Sequence, residues 1–551
     1  MTTRSGTGVQ DGARNPWAAL AALCIGFFMI MLDTTIVNVA IPTMLRDLHA
    51  SLNEVVWVNS AYLLTFAVPL LLAGRLGDRL GRKNVFLFGM VVFTAASLWC
   101  GLSTSAMMLI IARAVQGLGA AAMTPQTMAF ITNLFPPAKR GAPMGAWGAV
   151  AGVATIAGPL LGGLLVDNFG WQWIFMVNVP IGIIGLVLAV ILVPGRQQRH
   201  QHRFDLVGTA LSSLGLLGVV FGLQNGQQYD WGRVFGPITV PEIIGAGVLL
   251  LIAFVISQWR NRAEPLMPLS LFAHRNFSAA SIAGMAIGFA MIGMFLPLTI
   301  YFQSVLGMSP LMAGVLTAPM SLVSGFVAPL AGRLSDRISG KYVAMSGFVL
   351  LSAGIAIIVA QARPGSDPWS LIPGLLVMGL GVGCVFSPIA NVATTDMPLP
   401  MMGAASGVFN TTRQVGGVIG SAAIGVLLQN RLVASIHSAA VNASTALPPA
   451  FRGQFVDGMA QAANNATGGY GTSGPAALPP GVPASVANQI NTLALTVFHQ
   501  GFTDAARATL ILPICVLLLG AVACLGMVRK NRARPDEAAE MVTEEPARAS
   551  A

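Results

Sequence analysis

Charge is scarce in this chain. Only 9% of its 551 residues are Asp, Glu, Lys or Arg and 55% are hydrophobic, whereas a soluble domain carries about 25% charged residues; mean hydropathy is +0.73. A water-soluble fold is excluded. Cysteine is nearly missing: Cys24, Cys100, Cys384, Cys515 and Cys524 all fall in apolar stretches, so neither a disulfide framework nor a zinc site is readable. His49, His200, His202, His274, His437 and His499 are scattered over loops on opposite membrane faces and form no metal site. No phosphate-binding G-x-x-x-x-G-K-[ST] loop, H-E-x-x-H or G-x-S-x-G occurs, so the chain offers no sequence basis for an ATPase or a common hydrolase, and no cofactor is implied. The net charge of +10 sits in short loops beside apolar segments, where membrane topology places basic residues, so nucleic acid is not needed to explain it.

Long apolar runs are what the chain has in quantity. A helix needs about 20 apolar residues to cross a bilayer. On that ruler fourteen spans are expected, at roughly 17 to 42, 53 to 73, 84 to 104, 106 to 130, 143 to 166, 172 to 194, 206 to 225, 238 to 258, 278 to 303, 311 to 331, 342 to 361, 369 to 392, 404 to 429 and 508 to 528. The first run is too long for a signal-peptide core and stays as a helix. With both termini cytoplasmic, 22 of the 30 basic residues lie inside, 6 outside, and Arg113 and Arg413 within spans. That bias predicts an N-in, C-in protein of the inner membrane. The external segment 430–507 is rich in Ala, Asn, Gly and Pro and reads as a long, partly flexible loop.

Two cytoplasmic segments repeat. Ala73 to Lys83 reads AGRLGDRLGRK and Ala331 to Lys341 reads AGRLSDRISGK, which implies a duplicated six-helix unit. The expected organisation is a tail 1–16, a first bundle 17–194, a central loop and inserted helix pair 195–260, a second bundle 261–528 and a tail 529–551.

Four groups of residues carry chemistry. Asp33, in LDTTIVNVAIP, is the one carboxylate placed away from a span end. An intramembrane acid is costly and marks function, because burial disfavours its charge and a nearby cation favours it. Arg113 and Gln116, in RAVQGLGAA, are three apart and share a helix face. Gly148 and Gly152 form a small-xxx-small face, followed by Gly158, a kinking Pro159 and Gly162. In the first repeat, Gly74 and Gly81 permit sharp turns while Asp78, Arg79 and Arg82 supply charge; the second keeps Asp336 and Arg337 but has serine for two glycines. Trp171, Trp173 and Phe175, in WQWIFMVNVPIG, suit an interfacial belt. Asn410, Arg413 and Gln414, in GVFNTTRQVGG, face the cavity or the cytoplasmic gate.

Taken together and in this order, these motifs resemble the major facilitator superfamily over nearly the whole chain, specifically its fourteen-span drug:proton antiporter branch. The resemblance implies an all-α integral membrane protein: two six-helix bundles with two extra central helices. It implies that Asp33 carries the proton and Arg113 tunes it, and that the Gly74 to Lys83 segment latches one conformation. The Gly148 to Gly163 helix matches the motif that separates exporters from importers in that family, so the expected activity is export. The expected substrate is a lipophilic or cationic small molecule in a midplane cavity offering Asn38, Gln116 and Gln303, besides Asn410, Arg413 and Gln414. A dedicated exporter of a metabolite, antibiotic, siderophore or lipid would share every motif. The branch includes members that work with periplasmic adaptors, and segment 430–507 faces the correct side for one.

Overall fold

The computed structural model describes residues 15–135, 141–195, 205–226, 229–261, 265–395, 397, 402–465 and 484–528. The tail residues 1–14 and 529–551 lie outside them. Among the described residues the regular structure is helical apart from one short ribbon. Asn15 opens α1 (Pro16–Asp47) by accepting from the backbone N–H of Trp17 and Ala18, and a Ser51/Glu54 capping box opens α2 (Leu52–Ala67). Next come α3 (Leu70–Leu80), α4 (Arg82–Gly101), α5 (Ala106–Leu134), α6 (Gly141–Phe169), the single turn α7 (Trp173–Met176) and α8 (Asn178–Leu192). Then α9 (Leu206–Asn225) and α10 (Val240–Arg260) flank an antiparallel ribbon of β1 (Arg233–Phe235) and β2 (Ile238–Thr239). The rest comprises α11 (Arg275–Ile300) with a π-helical turn at Tyr301–Val305, α12 (Pro310–Arg337), α13 (Gly340–Gln361), α14 (Ile372–Thr395), α15 (Met402–Ser444), α16 (Pro449–Asn465) and α17 (Ala484–Leu525).

Among the described residues, 12 helices are long and apolar enough to cross a membrane, against the fourteen spans expected. The difference falls at the second and fifth expected spans. The second is divided at Val68-Pro69 into helices of 16 and 11 residues, because proline lacks an N–H and its ring crowds the preceding turn. The fifth corresponds to α6, a 29-residue helix partly outside the described side chains.

The helices gather into two groups, α1, α2, α4, α5, α6 and α8, and α11 to α15 with α17, joined where α6 meets α12 and α2 meets α15. The α9/α10 hairpin lies against α15 and α2. Outward positions are apolar: Phe326 is 76% and Trp259 74% exposed, as a lipid-facing surface requires. The two repeated segments end alike. Lys83 Nζ donates to the Val190 carbonyl at the end of α8, at 2.7 Å, and Lys341 Nζ to the Leu525 carbonyl at the end of α17, at 2.8 Å. Each lysine thus satisfies an orphan carbonyl at the negative pole of the helix it reaches.

Three expectations need correction. Segment 430–507 is not mainly loop: α15 runs on to Ser444, α16 follows and α17 begins at Ala484. Its alanines favour helix, and Ile436, Ala440, Leu447, Phe455 and Ile490 are buried in one cluster; residues 466–483 lie outside the described set. The first repeat is helical through Leu80, so Gly74 and Arg79 sit on α3 and the turn is Gly81 alone, whose φ of 96° favours glycine. Trp171, in the turn before α7, and Phe175, on α7, are 1% and 0% exposed; α7 packs on α4 and α6, and only Trp173, 48% exposed, keeps an anchor's position.

Candidate functional site

Helix packing brings Asp33 and Arg113 together. Gly117 and Gly119 allow this: a Cβ on Gly117 would lie 2.5 Å from the Tyr62 carbonyl of α2, and one on Gly119 would lie 2.6 Å from the Phe93 nitrogen of α4. Only bare backbone lets α5 approach both helices so closely. Arg113 Nη1 then donates to Asp33 Oδ2 at 2.5 Å and to Gln116 Oε1 at 2.7 Å, while its Nε donates to the Val58 carbonyl at 3.3 Å. Gln116 Nε2 donates to Asp33 Oδ1 at 2.9 Å and to Ser97 Oγ at 3.0 Å, and Asn178 Nδ2 reaches the same hydroxyl at 3.1 Å. The guanidinium carbon lies 4.0 Å from the Tyr62 ring centroid and 5.6 Å from that of Phe175, within cation–π range.

Asp33 is 0% and Arg113 1% exposed. Two charges with so little solvent persist because each carboxylate oxygen has a donor and the cation has acceptors and ring faces. The Tyr62 hydroxyl and Asn178 Oδ1 are buried beside them and have no hydrogen-bond partner among the described residues.

Directly behind the carboxylate, α6 packs on α1. A Cβ on Gly158 would sit 2.0 Å from Thr35 Oγ1, and one on Gly162 2.8 Å from the Ile36 side chain. The other face of α6 meets α12: a Cβ on Gly163 would come 2.4 Å from Leu311 Cα, and one on Gly314 2.4 Å from the Pro159 carbonyl. The glycine helix therefore bridges the carboxylate helix and the second group. Gly148 and Gly152 lie outside the residues whose surroundings are described.

The remaining predicted residues divide by location. Gln116 belongs to the ion-pair network. Asn38 lines a narrow cavity of about 10 Å³ between the groups with Val56, Asn59, Ile292, Gly293, Leu296, Ser421 and Ile424, and its Oδ1 accepts from Asn59 Nδ2 at 3.3 Å. Close by, the Ser60 and Ser421 hydroxyls meet at 3.0 Å across the groups. Gln303 Nε2 donates to the Val39 carbonyl at 2.8 Å, also across them. Asn410, Arg413 and Gln414 are half-buried on α15. Arg82 Nη1 donates to the Ala129 carbonyl of α5 at 3.2 Å, while Arg79 and Arg337 are exposed. The side chains of Asp78 and Asp336 lie outside the described set. Sequence reasoning did not find Ser97, Tyr62 or the Val58 carbonyl. It quoted Asn178 without a role; the available signal was polar residues inside the apolar runs of α4 and α8.

A bundle of apolar helices in two groups, with an ion pair sealed inside one of them, defines a polytopic helical transporter. A family model described as Major Facilitator Superfamily matches residues 23–421. The chain belongs to this superfamily. It is 48% identical over 423 residues to the MFS-type transporter Rv1250 of Mycobacterium tuberculosis, covering 77% of this chain and 72% of that one. It is 36% identical over 421 residues to the tetracenomycin C resistance and export protein of Streptomyces glaucescens, covering 76% and 77%, and 34% identical over 427 residues to the multidrug resistance protein Stp of M. tuberculosis, covering 77% and 78%. The crystal structure of a bacterial homolog to the human lysosomal transporter Spinster, inward-facing and unoccupied, aligns with a TM-score of 0.61 at 14% identity, covering 95% of this chain and 100% of that one.

Proposed function

We propose that the protein exports lipophilic small molecules across the inner membrane in exchange for protons. Its working form has fourteen spans, with bundles 17–194 and 261–528 flanking an inserted pair and both termini cytoplasmic. The observation that carries the reading is the fully buried Asp33, paired with Arg113 on a helix that packs on α6, which in turn touches the second group. Proton arrival at Asp33 removes one charge of the pair and frees Arg113; the cost of a lone buried cation then favours rearrangement of α1 and α5. The contact of α6 with α12 transmits that rearrangement to the other bundle.

In this orientation the α1–α2 turn faces outward. Gln303 to Val39 and the Leu311 N–H to Asp167 Oδ2, at 3.0 Å, join the groups at that end and hold the external side closed. One proton crossing 100 mV releases about 2.3 kcal/mol, enough for roughly a fifty-fold gradient of a neutral substrate. The equivalent anchoring of Lys83 and Lys341 supports the two-bundle reading.

A second reading, a dedicated exporter of one secondary metabolite, is favoured by the likeness to a relative named for tetracenomycin C export. One experiment addresses both. Purified protein in liposomes, with an imposed pH gradient and a panel of dyes and antibiotics, is expected to accumulate several of them, and an uncoupler is expected to abolish accumulation. Accumulation of a single compound selects the second reading. Accumulation indifferent to the uncoupler removes proton exchange.

A further inference from the structure

The two arginines inside spans are housed very differently. Arg113 gives Nε to the Val58 carbonyl and Nη1 to Asp33 and Gln116. Arg413 is packed tightly at its base: a Cβ on Gly288 would lie 2.1 Å from the Arg413 carbonyl and 3.3 Å from its Cγ, so α11 and α15 touch backbone to backbone here. The side chain passes over that glycine towards α14, where the guanidinium carbon lies 5.6 Å from the Phe386 ring centroid. Among the described residues its buried Nε has no hydrogen-bond partner and no carboxylate pairs with it. A ring face attracts the cation but accepts none of its N–H bonds in the plane of the fork.

Asp33 and Arg113 cancel, so among the described residues Arg413 is a positive charge within the bundle to which no carboxylate is paired. An arginine placed only to hold helices together would be paired, as Arg113 is. Arg413 also belongs to the helix that lines the boundary between the groups, since Ser421 and Ile424 further along α15 border the cavity with Asn38 and Asn59. The planar, five-donor guanidinium is matched best by a planar oxyanion, which takes two parallel N–H bonds. We propose that Arg413 binds an acidic group, a carboxylate or phenolate, of the exported compound. The cargo then supplies a counter-charge to Arg413, and Phe386 receives the adjoining apolar ring. This deepens the export reading and rests on it. It narrows the substrate class from lipophilic or cationic molecules to lipophilic acids.

The test uses one apolar scaffold with three headgroups. Binding of 1-pyrenebutyrate, 1-pyrenebutanol and 1-pyrenebutylamine to the full chain in phosphatidylcholine nanodiscs is read by pyrene anisotropy. Wild type is expected to bind the carboxylate about tenfold more tightly than the alcohol, with the amine weakest. Arg413→Gln is expected to bring the carboxylate-to-alcohol ratio to about one while alcohol binding persists, which reports an intact fold. Arg413→Lys keeps the charge but not the fork and is expected to retain a ratio of about threefold. A wild type without carboxylate preference overturns the proposal, as does a preference that survives in Arg413→Gln. Should Arg413→Gln fail to fold, an unreduced ratio in Arg413→Lys overturns it. Proton-driven flux of the alcohol in liposomes is scored separately, so loss of proton coupling and loss of the acid site give different results.

Discussion

Breaking the Asp33–Arg113 pair from one side should cost more than removing it altogether. Arg113→Met leaves Asp33, at 0% exposure, with Gln116 Nε2 as its one remaining donor among those described. Stripping the partner from a buried charge costs about 3–5 kcal/mol. Asp33→Asn leaves Arg113 as a lone buried cation, but Arg113 keeps the Val58 carbonyl, Gln116 Oε1 and the Tyr62 ring, so the loss falls at the lower end of that range, about 3 kcal/mol. The double variant holds no uncompensated charge, so its loss should fall below the Arg113→Met figure. The coupling between the two sites is then on the order of 3 kcal/mol, favouring the double variant. Equilibrium unfolding of the four proteins in lipid bicelles measures it. Losses that add to within about 0.5 kcal/mol would refute the argument that the two charges balance each other.

Other predictions follow from packing and titration. Gly163→Val places a side chain where Leu311 Cα lies 2.4 Å from a Cβ, so α6 and α12 can no longer close; spin-label distances across these helices at the α1–α2 turn end should lengthen, and unchanged distances would show that the contact yields. Asp205, the N-cap of α9, is depressed below its usual value of 3.8: burial alone would raise it, but bonds from Gln258 and from the Gly208 and Leu266 N–H groups outweigh that. A depressed carboxyl contributes stability that is present above its unfolded pKa and is lost as pH falls through its folded one. Wild type should therefore lose thermal stability below about pH 4 more steeply than Asp205→Asn, and parallel melting profiles would contradict this.

The pair itself was legible because hydrocarbon makes charge rare. One carboxylate clear of the span ends and an arginine with a glutamine on the same helix face leave little choice. What surrounds the pair was not legible. Ser97 and Tyr62 act through the register of α4 and α2 against α5, which Gly119 and Gly117 set by close approach, and no periodicity within one helix encodes that register. Gln116 shows the same limit: its helix face was readable, but its bonds to Asp33 and Ser97 were not. Pro69 was present in the second expected span, yet whether a proline kinks a helix or divides it depends on what packs around it. Segment 430–507 misled in the opposite way. Its Gly and Pro cluster within 466–483, and the alanine-rich stretches on either side continue the helices.

The central claim is that Asp33 couples proton movement to export, and one comparison tests it directly. Wild type and Asp33→Asn are reconstituted in liposomes, and each is assayed for pH-gradient-driven accumulation and for gradient-free exchange of labelled against unlabelled substrate. The account predicts that Asp33→Asn loses the first and keeps the second. Accumulation in Asp33→Asn at the wild-type rate would contradict it.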